Sequence, residues 1–279
     1  MKRIKKITIM FLVLTMIFVL AACGNTETSQ VEDENDITVE NEVTSESDLN
    51  YVKGNGKLII GYTDYAPMNY TDENGVFTGF DTELAIIVTE KLGLEPEFVE
   101  INWDTKEVEL NAKSIDCIWN GLTIDDERKA TMEITKPYVK NAQVIVMKEG
   151  ANYEGTASLV DKIIAAEQGS AGETTIQNDE NLKQASYVPK TLQTEALMEV
   201  KAGTVDAAVL DLTLAKTMTG EGTNYKDVVI VDQLAEEDYG VAFRKGSDIC
   251  EEVNKIFDQL VADGTMAQLA EKYGLELSK

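Results

Sequence analysis

The sequence predicts an α/β protein built from two units, each with a mainly parallel sheet flanked by helices. The first observation is an alternation of strand-like and helix-like segments, which is typical of parallel sheets with helices on their faces. The second is that the alternation starts again near position 142. In the first unit the segments are the strand KLIIGYT over 57–63, a helix that Asp81 caps and Gly93 ends, the strand EFVEI, a helix over about 105–113 and the strand IDCIW.

The second unit repeats this order of elements and the chain then returns to the first unit. The return is expected because the last long helix has no sheet of its own nearby in sequence. The segments are the strands AQVIVM and KIIAA, a helix after Gly169-Ser170, a helix over 193–202, the strands VDAAVLD, VVIV and YGVAF, and a helix with apolar positions at Ile249, Val253, Ile256, Phe257 and Leu260.

Composition excludes several classes of function. The formal net charge of -25 argues against nucleic acid as a partner, because a polyanion gains nothing from an acidic surface. The chain has no histidine. Catalysis through Ser-His-Asp or Cys-His groups and zinc ligation by histidine are therefore excluded. We expect no cofactor, no metal site and no catalytic residue.

The N-terminus has the three zones of a secretory signal: basic residues at 2–6, an apolar run from Ile7 to Leu20, and small residues before Cys23. The run is too short to span a bilayer, which takes about 20 apolar residues. Leu20-Ala21-Ala22-Cys23 resembles a bacterial lipobox, in which the cysteine is acylated and becomes the new N-terminus. The alternative is an ordinary signal with an incidental cysteine. We predict a lipoprotein signal peptide over 1–22 and lipid attachment at Cys23.

Residues 23–50 are polar and acidic without Lys or Arg, so we predict a disordered tether that holds the folded part away from a membrane.

Cys117 and Cys250 lie among apolar neighbours and are expected to be buried thiols. A disulfide between them is the alternative, which sequence alone does not decide.

Candidate binding residues follow the strands, because the ligand crevice of an open α/β sheet lies beyond the carboxyl ends of its strands. The guanidinium of Arg128 could grip a carboxylate bidentately, and Asp211 could pair with an ammonium group. The alternatives are a solvated helix residue for Arg128 and a helix cap for Asp211. QGSAGE is a weak anion-site motif and could be purely structural. Tyr65 and Trp103 would flank a small organic ligand, or belong to the core or rim.

Several stretches together resemble the family 3 extracellular solute-binding proteins of polar amino-acid ABC importers, over roughly residues 55–277. They are GYTDYAPMNY, GVFTGFDTELA, IDCIWNGLTIDDERK with ITKPYVKN, QGSAGE, VDAAVLD, YGVAFRKG and DGTMAQLAEKYG. The resemblance implies a two-lobed, type II periplasmic-binding-protein-like fold that closes on its ligand, with two hinge strands between the lobes. We expect lobe 1 over 51–141 plus 235–279 and lobe 2 over 142–234.

The resemblance also implies roles at the site. Arg128 would clamp the α-carboxylate, helped by the backbone N–H of Ser170 or Ala171, and Asp211 would take the α-ammonium. Ala171 departs from many relatives, which have a hydroxyl residue there. Trp119 replaces a common aliphatic residue, as core or as a further wall. The aromatic pair Tyr65 and Trp103 would pack on the ligand side chain, and the lobe 1 wall would be Asn120, Gly121 and Thr123.

The expected partners are a free polar amino acid, the permease subunits of an ABC importer and the membrane through the N-terminal lipid. We expect a monomer on the extracytoplasmic face of the bacterial cell membrane. A rival hypothesis is an enzyme on this scaffold, such as a small-acid dehydratase or hydrolase, with Glu167 or Glu173 as acid or base. A second rival is a module that senses a ligand for a membrane kinase.

Overall fold

The computed structural model describes residues 47–279. The predicted signal peptide, Cys23 and residues 23–46 of the predicted tether lie outside this range. The strands are β1 (Lys57–Tyr62), β2 (Tyr70–Thr71), β3 (Phe77–Thr78), β4 (Glu95–Glu100), β5 (Cys117–Thr123), β6 (Met132–Ile134), β7 (Val139–Lys148), β8 (Ile163–Glu167), β9 (Ser186–Lys190), β10 (Ala207–Asp211) and β11 (Val228–Arg244). The α-helices are α1 (Asp48–Asn55), α2 (Phe80–Leu92), α3 (Lys106–Asn111), α4 (Asp126–Thr131), α5 (Ala171–Asn178), α6 (Gln193–Ala202), α7 (Leu212–Met218), α8 (Ile249–Ala262) and α9 (Thr265–Tyr273).

Two lobes share one sheet. Within the described residues its strands run in the order β4-β1-β5-β11-β7-β10-β8-β9, with β6 paired to β11. Strands β4, β1 and β5 are parallel in lobe 1, and β10, β8 and β9 are parallel in lobe 2. The long antiparallel strands β7 and β11 connect them. The two-lobed α/β prediction with two hinge strands is confirmed, and the predicted lobe boundaries fall inside β7 and β11.

The central strands β5 and β10 are buried along their whole length because both faces of the sheet are covered. Every residue of β5 and of β10 is buried, as expected for parallel strands with helices on both sides. In lobe 1, helices α2, α8 and α9 pack together, with α8 also against β11. The C-terminal helices therefore belong to lobe 1, as the sequence predicts.

Trp119 belongs to the core. Its side chain is fully buried, and its ring meets the ring of Phe257 of α8 edge to face, with the ring centroids 5.9 Å apart. Because successive residues of a strand point to opposite faces, the side chain of Trp119 is directed to the α8 side of the sheet. Of the two interpretations of Trp119, the core is the one that its packing supports.

Several predicted elements need correction. Residues 48–50, predicted as the end of the tether, are helical in α1, which Ser47 caps by accepting a hydrogen bond from the Asn50 N–H at 3.0 Å. The segments VVIV and YGVAF are parts of one strand, β11, because the polar residues between them continue the pairing with β7. Strand β5 extends past Trp119 to Thr123 and pairs there with β11.

Asp81 does not cap α2. The helix begins at Phe80 after Gly79, and the Asp81 side chain is buried, where it accepts hydrogen bonds from the Gly121 N–H at 2.7 Å and the Tyr138 hydroxyl at 2.8 Å. Burial raises the pKa of Asp81 to about 7. The carboxyl group thus ties α2 to the polar end of β5 instead of satisfying a helix terminus.

Cys117 and Cys250 are both free thiols and both buried. None of the helices over residues 47–279 has the length and apolar character needed to cross a membrane.

Candidate functional site

The predicted site residues come together in one cleft between the lobes. The empty space there is about 250 Å³, part of it open to solvent. The lining adds two residues, Glu167 and Gln193, to those predicted, which are Tyr65, Trp103, Asn120, Gly121, Thr123, Arg128, Ser170, Ala171 and Asp211.

Asn120 stands at the polar end of β5 and holds the neighbouring loop in place. Its side-chain N–H groups donate to the Thr63 carbonyl at 2.9 Å and to the Asn69 side-chain oxygen at 2.8 Å. Its own oxygen accepts from the N–H and the hydroxyl of Thr63. The amide is therefore occupied by this network, and Asn120 contributes to the cleft mainly by fixing the backbone around it.

Gly121 is a position where only glycine fits. Its φ of 56° lies in the left-handed region, and an added Cβ would approach the ring of Tyr65 to 2.8 Å and that of Tyr239 to 3.0 Å. The missing side chain lets both rings pack directly on the backbone of β5. The sequence Asn-Gly at this strand end is thus explained by packing.

Arg128 reaches the cleft from the short helix α4. The helix is capped by Asp125, whose Oδ1 accepts from the Arg128 N–H at 2.7 Å. The guanidinium Nη1 donates to the Thr123 carbonyl at 2.8 Å, and Nε lies 3.4 Å from Asp125 Oδ2. The Arg128 side chain is buried, whereas that of Asp126 is fully exposed. Of the neighbouring acids, Asp125 orients the guanidinium and Asp126 faces water.

Asp211 lies opposite, in lobe 2, and is held by amide groups. Oδ1 accepts hydrogen bonds from the side chains of Asn141 at 2.9 Å and Gln143 at 2.5 Å, and Oδ2 accepts one from Gln193. Asp211 occupies the N-cap position of α7 but makes no side-chain capping bond there. The helix-cap alternative is therefore wrong for its side chain, which points to the hinge amides.

A second carboxyl group shares these amides. Glu237 of β11 accepts from Asn141 at 2.7 Å, Gln143 at 2.9 Å and the Thr123 hydroxyl at 3.0 Å. Burial, and then the nearby charge of Asp211, raise the pKa of Glu237 to about 7. Burial also raises the pKa of Asp211, although its hydrogen bonds oppose the shift. The hinge side of the cleft is thus acidic, and among the described residues its two carboxyl groups accept hydrogen bonds from neutral amide and hydroxyl groups.

The lobes touch across the cleft through several side chains. The Tyr65 hydroxyl contacts the hydroxyl of Thr213 in lobe 2 and that of Tyr239, the latter at 2.5 Å. On the other side, Lys106 donates to the Gly169 carbonyl of lobe 2 at 2.9 Å and lies 5.0 Å from the ring centre of Trp103. The two predicted aromatic residues are both buried at this junction.

The QGSAGE segment forms the start of α5. Ser170 caps the helix by accepting from the Glu173 N–H at 3.1 Å, and Glu173 accepts from the Gly169 N–H at 2.6 Å. The Ser170 N–H bonds the Glu167 carbonyl at 3.3 Å. Ala171 is the first residue of the helix, so its N–H has no acceptor within the helix. Of the two predicted backbone donors, Ala171 is the better placed for a ligand.

A family model for bacterial extracellular solute-binding proteins, family 3, matches residues 58–276. The chain belongs to this family. Among its curated relatives, the L-cystine-binding protein TcyJ of Escherichia coli (strain K12) is 29% identical over 239 residues, covering 83% of this chain and 88% of that protein.

Solved structures agree with the type II fold. The crystal structure of an ABC uptake transporter substrate binding protein from Streptococcus pneumoniae with bound histidine has a TM-score of 0.74 and 28% identity, over 82% of this chain and 97% of that one. An ancestral amino acid-binding protein, AncCDT-1, is described as a precursor of cyclohexadienyl dehydratase. It has a TM-score of 0.73 and 32% identity, over 81% of this chain and 99% of that one.

Sequence reasoning overlooked the hinge amides of this family member. Asn141 and Gln143 are two residues apart in an otherwise apolar strand, so their side chains share one face. This two-residue spacing in the sequence could have indicated a polar face on the strand. Glu237 has no comparable feature, because it lies in a run of acidic residues. From the sequence Glu167 is expected only as an acid or base of an enzyme, although it ends β8 directly before the QGSAGE segment.

Proposed function

We propose that this protein is an extracytoplasmic receptor that binds a free α-amino acid between its lobes and delivers it to the permease of an ABC importer. The observation that carries the proposal is the placement of Arg128 on lobe 1 and Asp211 on lobe 2 at one cleft. The first suits an α-carboxylate and the second an α-ammonium group. One relative is named for cystine and another was solved with bound histidine, and both of these amino acids have both groups.

Binding in this arrangement favours the closed state. A zwitterion that bridges Arg128 and Asp211 contacts both lobes, so it stabilises the closed form relative to the open one by its differential affinity for the two. A ligand without the ammonium group would leave the buried Asp211 without a counter-charge, and a ligand without the carboxylate would lose the bidentate bond to Arg128. The cleft would therefore select amino acids over simple acids and amines.

The remaining predicted residues have supporting roles in this proposal. Tyr65 and Trp103 would pack on the ligand, and the polar end of β5, with Asn120, Gly121 and Thr123, would form the lobe 1 wall. The Ala171 N–H would add a donor for the α-carboxylate, and Ser170 would hold the start of α5. These roles are supported by the position of each residue in the cleft lining.

A thermal-shift screen of the purified full chain against the twenty amino acids and cystine tests the function. A ligand that binds only the native state must raise the melting temperature. We expect at least one amino acid to do so, whereas its decarboxylated amine and its deaminated acid should not. If no amino acid shifts the melting temperature while another metabolite does, the proposed substrate class is wrong.

The two rival functions are less well supported. The relatives reported above are binding proteins, although AncCDT-1 is a precursor of an enzyme. We propose that this chain is a receptor without enzymatic activity. Recovery of the bound amino acid unchanged after long incubation would support this, and its conversion would favour the dehydratase or hydrolase hypothesis. A role in sensing for a membrane kinase would require binding without any effect of gene deletion on uptake.

We further propose that the protein is anchored by lipid at Cys23. The support is the sequence Leu20-Ala21-Ala22-Cys23 after a basic and apolar start. In cells grown with labelled palmitate, the full chain should carry the label and sediment with membranes. Cys23→Ser should lose the label, and a labelled variant would contradict the assignment.

A further inference from the structure

Glu167 is a buried carboxyl group that the amino-acid head group does not use. It ends β8, lines the cleft and is 3% exposed. Its Oε1 has no hydrogen-bond partner among the described residues. A buried carboxylate oxygen without a partner is costly, because it has lost water and gained nothing in exchange. Such a group in a binding cleft points to a ligand that supplies the missing donor.

The charges around Glu167 favour a positive ligand group. Burial first, and then the Asp211 charge, raise the pKa of Glu167 well above its usual range, while Lys106 and Arg128 oppose the shift. Glu195 adds a further acid. Lys190 is the partner of Glu167 in β9, but its ammonium pairs with Glu199.

The two nearby cations oppose the raised pKa of Glu167, but neither makes a hydrogen bond to its Oε1. Lys106 donates to the carbonyls of Trp103 at 3.1 Å and Gly169 at 2.9 Å. Arg128 bonds the Thr123 carbonyl and, in the proposed function, takes the α-carboxylate. Asp211 is a further carboxyl group near Glu167, and it shares its amide donors with Glu237.

We propose that Glu167 is a specificity-determining residue that pairs with a cationic side chain, so that the ligand is a basic amino acid such as arginine, lysine or ornithine. This inference rests on the proposed function, because it assumes that Arg128 and Asp211 hold the head group. A guanidinium or ammonium group supplies the donor that Oε1 lacks and a positive charge that stabilises the ionised Glu167. An acidic side chain would place another carboxylate beside Glu167 and is excluded.

The test compares arginine with citrulline, which has nearly the same shape but a neutral urea group, by calorimetric titration of the full chain. We expect arginine to bind about 30-fold or more tightly, the effect of removing one partner from a buried charge pair. Glu167→Gln should reduce the affinity for arginine by a similar factor and change that for citrulline less than about threefold. Glu180→Gln is the matched control, because it removes the same charge from an exposed position of lobe 2.

Proton release gives a second readout that does not depend on a variant. Because a cation lowers the raised pKa of Glu167, arginine should release more protons on binding than citrulline does, measured by titration in buffers of different ionisation enthalpy. Asp211 and Glu237 respond to both ligands, so the difference between the ligands reports Glu167.

The outcomes separate the two proposals. Equal affinity for arginine and citrulline in the wild type, with amino acids still bound, would overturn the role of Glu167 and leave the receptor intact. An equal loss for both ligands in Glu167→Gln would also overturn it. Absence of binding by every amino acid in the wild type would overturn the receptor itself.

Discussion

The two charged ends of the cleft are built in opposite ways. The Arg128 guanidinium is held by a carbonyl and one carboxylate, Thr123 and Asp125, and an arginine remains charged at any physiological pH. In the described part of the chain, the Asp211 carboxyl accepts hydrogen bonds from three neutral amides, and burial raises its pKa. One end is a compensated, permanent cation and the other an anion whose counter-charge the ligand must bring. The folded protein itself supplies the counter-charge of Arg128, whereas Asp211 obtains its counter-charge only when the ligand binds.

The largest expected effects come from substitutions at the two charged ends of the cleft, and the stability of the unliganded protein distinguishes the two ends. Arg128→Lys and Asp211→Asn should each weaken amino-acid binding by about 100-fold or more. Lysine keeps the charge but lacks the planar fork that holds a carboxylate bidentately, and asparagine removes one partner of a buried charge pair. Their effects on the unliganded protein should differ. Asp211→Asn should leave the free energy of unfolding equal or higher, since it removes an uncompensated buried charge, whereas Arg128→Lys should lower it by about 1 kcal/mol through the lost bond to the Thr123 carbonyl.

Calorimetric titration and denaturant unfolding of both variants measure these effects. Asp227→Asn, an exposed change in lobe 2, is the control for the loss of one negative charge. A clear loss of unliganded stability in Asp211→Asn would show that the hinge amides need the carboxylate as their acceptor. The two ends of the cleft would then be built alike.

The second expected effect is a pH dependence that comes from the acidic end. Burial is the main cause of raised pKa values at Glu237 and Asp81, both to about 7, and at Asp211. A raised carboxyl pKa means that the folded state binds the proton more tightly than the unfolded state. The stability gained is full below the unfolded value, near 4 to 4.5, and is lost as pH rises through the folded value.

The unliganded full chain should therefore lose about 5 kcal/mol of stability between pH 5 and pH 7.5, about half of it from each of Glu237 and Asp81, with a slope of at most about 1.4 kcal/mol per pH unit for each proton. Unfolding curves at several pH values check this. Asp211→Asn should flatten the slope, and Arg128→Lys should not. A slope of the opposite sign in this range would mean that these carboxyl groups are ionised and compensated in the folded protein.

The sequence predicts the Arg128 end of the cleft better than the Asp211 end for a physical reason. Arg128 and its two nearest partners, Thr123 and Asp125, lie within one continuous stretch, so local spacing is informative. The partners of Asp211 come from β7 and α6, which are distant in the chain. Only pairing of β10 with β7 brings Gln143 into register with Asp211.

The fold shows the same division. Alternating segments and helix ends such as Gly93 are local features, and the structure has them as predicted. The continuity of β11 was missed because its polar middle is stabilised by pairing with β7 and not by its own composition. Asp81 has the sequence position of a helix cap, but tertiary contacts with Gly121 and Tyr138 decide its role.

The smallest expected effect concerns how the compensated end is oriented. Asp125 lies 3.4 Å from the Arg128 Nε and is 42% exposed. Asp125→Asn keeps an oxygen to cap α4 but removes the charge that steers the guanidinium. Because ion pairs at partly exposed sites contribute about 0.2 to 1 kcal/mol, amino-acid affinity should fall by about threefold. Asp126→Asn, at a fully exposed position in the same turn, should leave affinity unchanged in the same calorimetric titration. Tighter binding by Asp125→Asn would instead show that Asp125 competes with the ligand for Arg128, and that the permanent cation is over-compensated before the ligand arrives.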